Sequence, residues 1–265
     1  MEFDLRSQGL TFKHEISINP KYGNDSFADH YHTVYELLYI ISGDADLVVE
    51  HTEFHIKPYS LLVIRPGTTH HIVLKSSTTY DRVVIRFDEK NISEGLRKNL
   101  DQLNNVYYIK NAPIADLFEQ LDHSMDYLDK QHQLNACLAH LELILSYLYA
   151  SEKYTQAADN VNEPLELLLK HIDKNLTNIH TINDLCDELH MSRSSIHKIF
   201  NKYSGMSIMN YIRTRKIFLA HKLLNSGMNA TKVYTKCGFN DYSTFYRAYK
   251  NIFNEAPTTT YHTPR

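Results

Sequence analysis

The sequence predicts an α+β protein of two domains. An antiparallel β-barrel carrying a pair of helices comes first, then an all-α domain with two helix-turn-helix motifs joined by a long helix. Three observations predict it. Between Ala28 and Phe87, short runs of Val, Ile, Leu and Tyr are divided by turn residues, as in a domain of many short strands. From Ala112 onward, apolar residues recur at helical spacing. Charge divides along similar lines. Residues 164–265 hold 14 Lys+Arg and 7 Asp+Glu, a net +7, while the rest of the 265-residue chain nets −10. The overall −3 conceals that division, and a basic half beside an acidic half points to a polyanionic partner for one half only.

The length suits a first domain over 1–150, a polar linker over 151–163 that lacks apolar periodicity, and a second domain over 164–265. No apolar run approaches the ~18 residues of a membrane span. Met1-Glu2-Phe3-Asp4 has neither the basic nor the apolar region of a secretory signal. Cys137, Cys186 and Cys237 are too scattered for a metal-binding spacing or a disulfide framework. A cytoplasmic protein with no cofactor is expected.

Within the first domain, residues 1–20 alternate weakly and fit an edge strand or an arm. Strands are expected at 34–42, 45–51, 52–56, 60–64, 71–75 and 82–87, with turns at Ser42-Gly43-Asp44, Lys57-Pro58 and Pro66-Gly67. Strand periodicity puts His30, His32, Val34, Glu36 and Leu38 on one face, read as the barrel interior. His30, His32, Glu36, Leu38 and His70 are the candidate effector pocket. Three readings stay open: a metal-free small-molecule site, a divalent metal on His30, His32, Glu36 and His70, or hydrogen-bonded structural histidines. The spacings His30-x-His32-x3-Glu36-x6-Gly43 and Pro66-Gly67-Thr68-Thr69-His70 resemble the two motifs of the cupin barrel, with Ser60 where glycine is common.

Pro113 suits the first turn of a helix with Ile114, Leu117, Leu121 and Leu128 as its stripe. The next helix, 131–149, places Leu134, Leu138, Leu141, Leu145 and Leu148 at heptad-type steps. That seam is read as a dimerisation contact, with packing on the barrel as the alternative.

In the second domain, Pro164 opens a helix and Thr181-x-x-Asp184 signals the start of another over 182–189. His190-Met191 turn the chain into a reading helix that begins at Ser192 and ends at Gly205. Ser207 caps a long helix to about Asn225. A short helix over 231–237, the Gly238-Phe239 turn and a second reading helix over 243–251 follow. Between Leu189 and Asn254 there are eleven Lys+Arg and a single acid, Asp241. Ile196, Phe200, Phe239 and Phe245 are expected in the core.

The set Tyr211-x3-Arg215-x4-Ala220-x2-Leu223-Leu224, Val233, Gly238-Phe239-x-Asp241-x-Ser243-x-Phe245-x-Arg247-x2-Lys250 and Pro257 resembles the signature of the AraC/XylS transcription regulators. The match spans about 100 residues, Pro164 to Tyr261. Tyr234, Asn254 and Thr260-Tyr261-His262 depart from it. The first domain is similar to the cupin-like effector domain of the same family, in which the N-terminal arm can join the switch. The resemblance implies a regulator, not an enzyme, that binds promoter or operator DNA in response to a small molecule. A sugar is the commonest effector theme, and a homodimer with RNA polymerase as a further partner is implied. It also implies two reading helices in successive major grooves, ~34 Å apart. Ser194, His197 and Lys198, then Tyr242, Ser243, Tyr246 and Arg247, would face bases. Arg193, Lys202 and Lys250 would hold phosphates, and Ser195 and Thr244 complete the DNA-binding set. The rivals are a metal-dependent cupin enzyme with an appended DNA-binding module, and a constitutive DNA binder whose barrel only dimerises.

Overall fold

Alternation along the strands sorts the side chains of the first unit into two cores. In the computed structural model, which describes residues 2–5, 9–22, 30–50, 52–110, 112–150, 160–201 and 206–262, the chain divides into units Met1–Asn160 and Val161–Arg265. The first unit begins with β1 (Glu2–Leu5), β2 (Leu10–Ser17), β3 (Tyr35–Ser42), β4 (Ala45–Val49), β5 (Thr52–Ile56), β6 (Ser60–Ile64), β7 (His70–Leu74) and β8 (Tyr80–Phe87). After a one-turn helix α1 (Glu94–Arg97) come β9 (Val106–Tyr108), α2 (Pro113–Met125) and α3 (Lys130–Tyr149). One antiparallel sheet runs β1-β2-β8-β3-β6-β9, and a second holds β5-β4-β7.

On β3, Leu38 and Ile40 join Leu47, Phe54, Ile56, Leu62 and Ile72 in a dry core drawn from both sheets. Tyr35, Leu37 and Tyr39 point the other way, into a core shared with α2 and α3. A strand buried on both faces reads as a continuous apolar run, and Tyr35–Ile40 is one apart from Glu36.

The helices correct two expectations. Leu134, Leu141, Leu145 and Leu148 are 9%, 0%, 0% and 2% exposed, and Leu138 packs against the same cluster. The leucine seam is therefore already filled by the chain's own sheet and α2, and is not a surface for a second copy. A heptad spacing cannot by itself tell a partner helix from a sheet. In α2 the buried stripe is Ile114, Phe118, Leu121 and Met125, and Leu128 lies beyond the helix end.

The N-terminal segment is also more embedded than expected. β2 pairs with β8 over its whole length and β1 covers its other side; Leu10 and Phe12 are fully buried. β2 is an inner strand, while β1 is the edge strand of the sheet.

Of the expected linker, 151–159 lie outside the described residues, Asn160–Val161 form a two-residue strand (β10), and Glu163 already belongs to α4 (Glu163–Asn175). The second unit continues with α5 (Ile182–Leu189), α6 (Arg193–Asn201), α7 (Ile208–Asn225), α8 (Ala230–Lys236), α9 (Tyr242–Phe253) and α10 (Pro257–His262). It has two cores strung on α7. Leu165, Leu168, Leu169 and Ile172 of α4 pack with Leu185, Ile196, Phe200 and the first half of α7. Ile217, Ala220 and Leu224 from its second half pack with Val233, Phe239, Phe245 and Tyr249. Among the described residues, no helix is long and apolar enough to cross a membrane.

Candidate nucleic-acid interface and effector site

Each reading helix is fixed by a turn, a cap and two buried anchors. In the first motif, α5 opens on Asp184, whose carboxylate accepts the backbone N–H of His180 at 2.7 Å and of Thr181 at 2.9 Å. These hydrogen bonds hold its pKa below the usual carboxylate range. His190 ends α5 in the left-handed region, φ 53°. The Ser192 hydroxyl then accepts the N–H of Ser195 at 3.1 Å, capping α6. Ile196 and Phe200 are buried, which leaves Ser194 and Lys198 exposed and Ser195 and His197 half-buried on the other side. Arg193 is exposed, but its guanidinium donates to the Asn183 side-chain oxygen of α5 at 2.9 and 2.7 Å. Lys202 and Gly205 lie outside the described residues.

The second motif repeats this plan with other residues. Gly238, φ 72°, makes the turn after α8. The cap of α9 is Asp241: its carboxylate accepts the N–H of Thr244 at 2.7 Å. The one acid of the basic stretch is thus used at a helix start, where a negative charge also meets the positive end of the helix dipole. Phe245 and Tyr249 are fully buried. Ser243, Arg247 and Lys250 are exposed; Thr244 and Tyr246 are half-buried. Tyr242 is half-buried too, with its ring 5.7 Å from that of Tyr234 and 5.8 Å from that of Phe245. Tyr234 therefore fits as one wall of an aromatic cluster. Asn254 closes α9 at φ 56°, a left-handed position that asparagine tolerates better than most residues.

Sequence reasoning placed Lys216 in the basic count and missed what it does. Only 5% exposed, its ammonium donates to the carbonyl of Ile179, ahead of α5, at 2.7 Å and to that of Gly238 at 3.0 Å. Burial pushes its pKa down. A Cβ on Gly238 would collide with the carbonyl of Thr177. One buried cation and one glycine thus lock the two motifs together across α7.

In the first unit, residues 31–34 precede β3 rather than extending it, yet three histidines converge. His30 and His70 form a backbone bridge, with N···O distances of 3.2 and 3.0 Å. The rings of His30 and His32 lie 4.9 Å apart, and those of His30 and His70 4.3 Å. One ring nitrogen from each histidine falls within 4.8 Å of the others. His70 Nδ1 lies 3.0 Å from the carbonyl of Thr68. A carbonyl can only accept, so Nδ1 carries the proton and Nε2 offers a lone pair. Nε2 is buried without a hydrogen-bond partner. Burial lowers the His70 pKa to about 4, which keeps the ring neutral at pH 7. These three histidines fit a divalent metal as well as a polar organic ligand.

Glu36 is engaged elsewhere. It lies 3.0 Å from His32 Nε2 and 2.5 Å from Nε of Arg86, its cross-strand partner on β8. Burial raises its pKa, but the hydrogen bond from His32 and the charge of Arg86 outweigh this and leave it at about 2. Arg86 escaped the sequence reading; its signal was strand parity, which puts it with Arg82 and Val84 on one face of β8. Leu38 sits deeper, packed in the dry core at 5% exposure.

Two family models agree with this architecture. Residues 15–146 match the family model of the AraC-like ligand binding domain, and residues 185–262 match a helix-turn-helix domain. The transcriptional activator RhaS of Mannheimia succiniciproducens is 21% identical over 248 residues, covering 91% of this chain and 92% of RhaS. The Msm operon regulatory protein of Streptococcus mutans is 26% identical over 193 residues, 72% of this chain and 63% of that protein. Among solved structures, an apo variant of ToxT from Vibrio cholerae is 16% identical with a TM-score of 0.42, covering 94% of this chain and 96% of its own. With an effector-binding domain followed by a paired helix-turn-helix domain, the chain belongs to the AraC/XylS family of transcription regulators.

Proposed function

We propose that the protein activates transcription by laying α6 and α9 in successive major grooves of one operator. Ser194, His197 and Lys198 read bases from α6; Ser243, Tyr246 and Arg247 read them from α9, with Tyr242 at the edge of the aromatic cluster. Ser195, Thr244, Lys250 and Lys202 contact the backbone, with Arg193 held in place by Asn183. The observation that carries this reading is the sidedness of both helices. Their apolar anchors are buried, while an outward face of serine, lysine and arginine is left open between Ser192 and Lys250. Lysine and arginine supply phosphate contacts and guanine recognition. Arg247→Ala is expected to weaken operator binding by about 1–3 kcal/mol and to relax preference at one base pair. Equal loss on scrambled DNA would instead mark Arg247 as a phosphate contact.

The effector enters the barrel end formed by His30, His32, Glu36 and His70, above Leu38, and shifts the population of DNA-binding arrangements. The protein works as a regulator rather than an enzyme, in the cytoplasm and with RNA polymerase. Supporting a second reading is the unpartnered His70 Nε2: the effector is, or is held by, a divalent metal on His30, His32 and His70. Elemental analysis of untagged protein separates the two readings. Stoichiometric zinc, lost in His70→Ala, would favour the metal; absence of metal leaves the organic effector.

Homodimerisation is proposed through the outward side of α3. Leu143 and Tyr147, one helical turn apart, are 49% and 40% exposed there. Leu143→Asp should reduce the mass in solution to that of one chain; an unchanged mass removes this surface from consideration.

A further inference from the structure

The opposite face of the six-stranded sheet carries a second concave site, remote in kind from the histidine cluster. Between that sheet and α2 lies a cavity of about 780 Å³, within the range of small-molecule sites. Its floor is aromatic: the rings of Tyr39 and Phe118 stack at 4.7 Å. Tyr59 lines the cavity too and is 39% exposed. Its backbone sits at φ 73°, a conformation bulky residues rarely adopt. Hydrogen bonds from its N–H to Ile40 O at 2.8 Å and from Ile109 N–H to its carbonyl at 2.9 Å hold it there.

The polar lining is unbalanced. Four carboxylates, Asp81, Asp116, Glu119 and Asp122, face one lysine, Lys110, and one histidine, His14. His14 is already committed, its two ring nitrogens each 2.8 Å from Asp81 and Asp122. Lys110 lies over the Tyr59 ring at 5.8 Å. The side-chain carboxylates of Asp116 and Glu119, one turn apart on α2, have no ion pair or hydrogen bond to another described residue. The second carboxylate oxygen of Asp122 is buried without a partner. The Tyr39 phenol registers the excess negative charge: burial first, then Tyr59, Glu119 and Asp116, push its pKa up to about 12. Aromatic surfaces beneath uncompensated carboxylates select a cation with an apolar body, through charge-assisted hydrogen bonds and cation–π contact.

We propose that this cavity binds a small organic amine, its apolar or aromatic body on Tyr59 and the exposed edge of Tyr39, which Phe118 backs from beneath, and its ammonium between Asp116 and Glu119. This site is independent of the barrel effector site and of whatever that site binds. The chain has no tryptophan, so Tyr59→Trp places a single tryptophan at the cavity, one that red-edge excitation separates from the tyrosines. Full-length Tyr59→Trp protein is titrated with 2-phenylethylamine, its neutral counterpart 2-phenylethanol and its anionic counterpart phenylacetate. Calorimetry on the native sequence with the same three probes runs in parallel.

Saturable binding of the amine is expected, with the alcohol weaker by about tenfold or more and the carboxylate weaker still. Asp116→Asn combined with Glu119→Gln should remove the preference for the amine. Both residues are at least partly exposed, and an unchanged circular-dichroism melt confirms that the double variant folds. His70→Ala, which alters only the barrel end, should leave amine binding intact. Equal affinity for amine and alcohol, an undiminished preference in the double variant, or no binding of the amine to either protein would overturn the proposal.

Discussion

The two helix-turn-helix motifs share α7 and a geometry but not a chemistry. The first has a mainly aliphatic core, with Phe200 and Tyr211 among its leucines and isoleucines, reinforced by α4, a serine cap and a histidine in the left-handed turn. The second has an aromatic core of Phe239, Phe245 and Tyr249, an aspartate cap and a glycine in the turn. What recurs is the backbone requirement: a residue at positive φ, then a side-chain oxygen on the amides that open the reading helix. The difference lies in what surrounds the turn. His190 keeps part of its surface open to solvent, whereas Gly238 lies against the carbonyl of Thr177 and beneath Lys216. Glycine in the second turn is therefore demanded by crowding between the motifs as well as by φ.

Four experiments test that contrast. Gly238→Ala should have the largest effect, a loss of about 3 kcal/mol or more from left-handed strain plus a backbone collision. Chemical denaturation measures it, and a loss no larger than about 1 kcal/mol would show that crowding at Thr177 is relieved by a small shift. Lys216→Met comes next. It leaves the carbonyls of Ile179 and Gly238 without their shared donor, at about 2 kcal/mol. If the lysine only fills space, the thermal midpoint stays put.

Asp241→Asn tests the caps through pH. The folded-state pKa of Asp241 is depressed by its hydrogen bonds from the Thr244 backbone and side chain, so its contribution is fully present above the unfolded pKa, near 3.9. It is lost as pH falls through the lower folded value. The wild-type midpoint should therefore drop below about pH 4 more steeply than that of the variant. Ser192, having no charge, should give the first cap no such dependence. Smallest is His190→Gly, expected to stabilise by about 0.5 kcal/mol by removing left-handed strain, partly offset by a freer unfolded chain. Destabilisation would mean that the histidine side chain holds the turn.

Most of the second unit was legible. Its helix starts are written in local chemistry, such as Thr181 to Asp184 ahead of α5, and its anchors in a spacing of four. The second reading helix, expected from 243, starts one residue earlier behind Asp241; Asp241 and Ser243 are both good capping residues, and only the path of the chain chooses between them. Strands β3 to β8 were found to within a few residues, since alternation and turn residues are local, whereas β9 had no counterpart in the sequence reading. The histidine cluster was assembled from the wrong premise, a continuous strand from His30. It survives because a bridge to His70 brings His30 in. Arg86 was missed because cross-strand register is a pairing between distant segments.

Local sequence was enough to settle what each stretch becomes: strands where branched residues alternate, helices where apolar residues fall every three or four, caps and turns at their ends. Those choices depend on neighbours a few residues away. Which face meets which partner was left to the folded chain. Folding sent the leucine seam of α3 into the chain's own sheet, turned Lys216 from a surface charge into a buried pin, and opened a carboxylate-lined cavity beneath α2. An apolar stripe or a lone charge has no preferred partner until the chain folds back and one solution buries more surface and leaves fewer polar groups unpaired than the others.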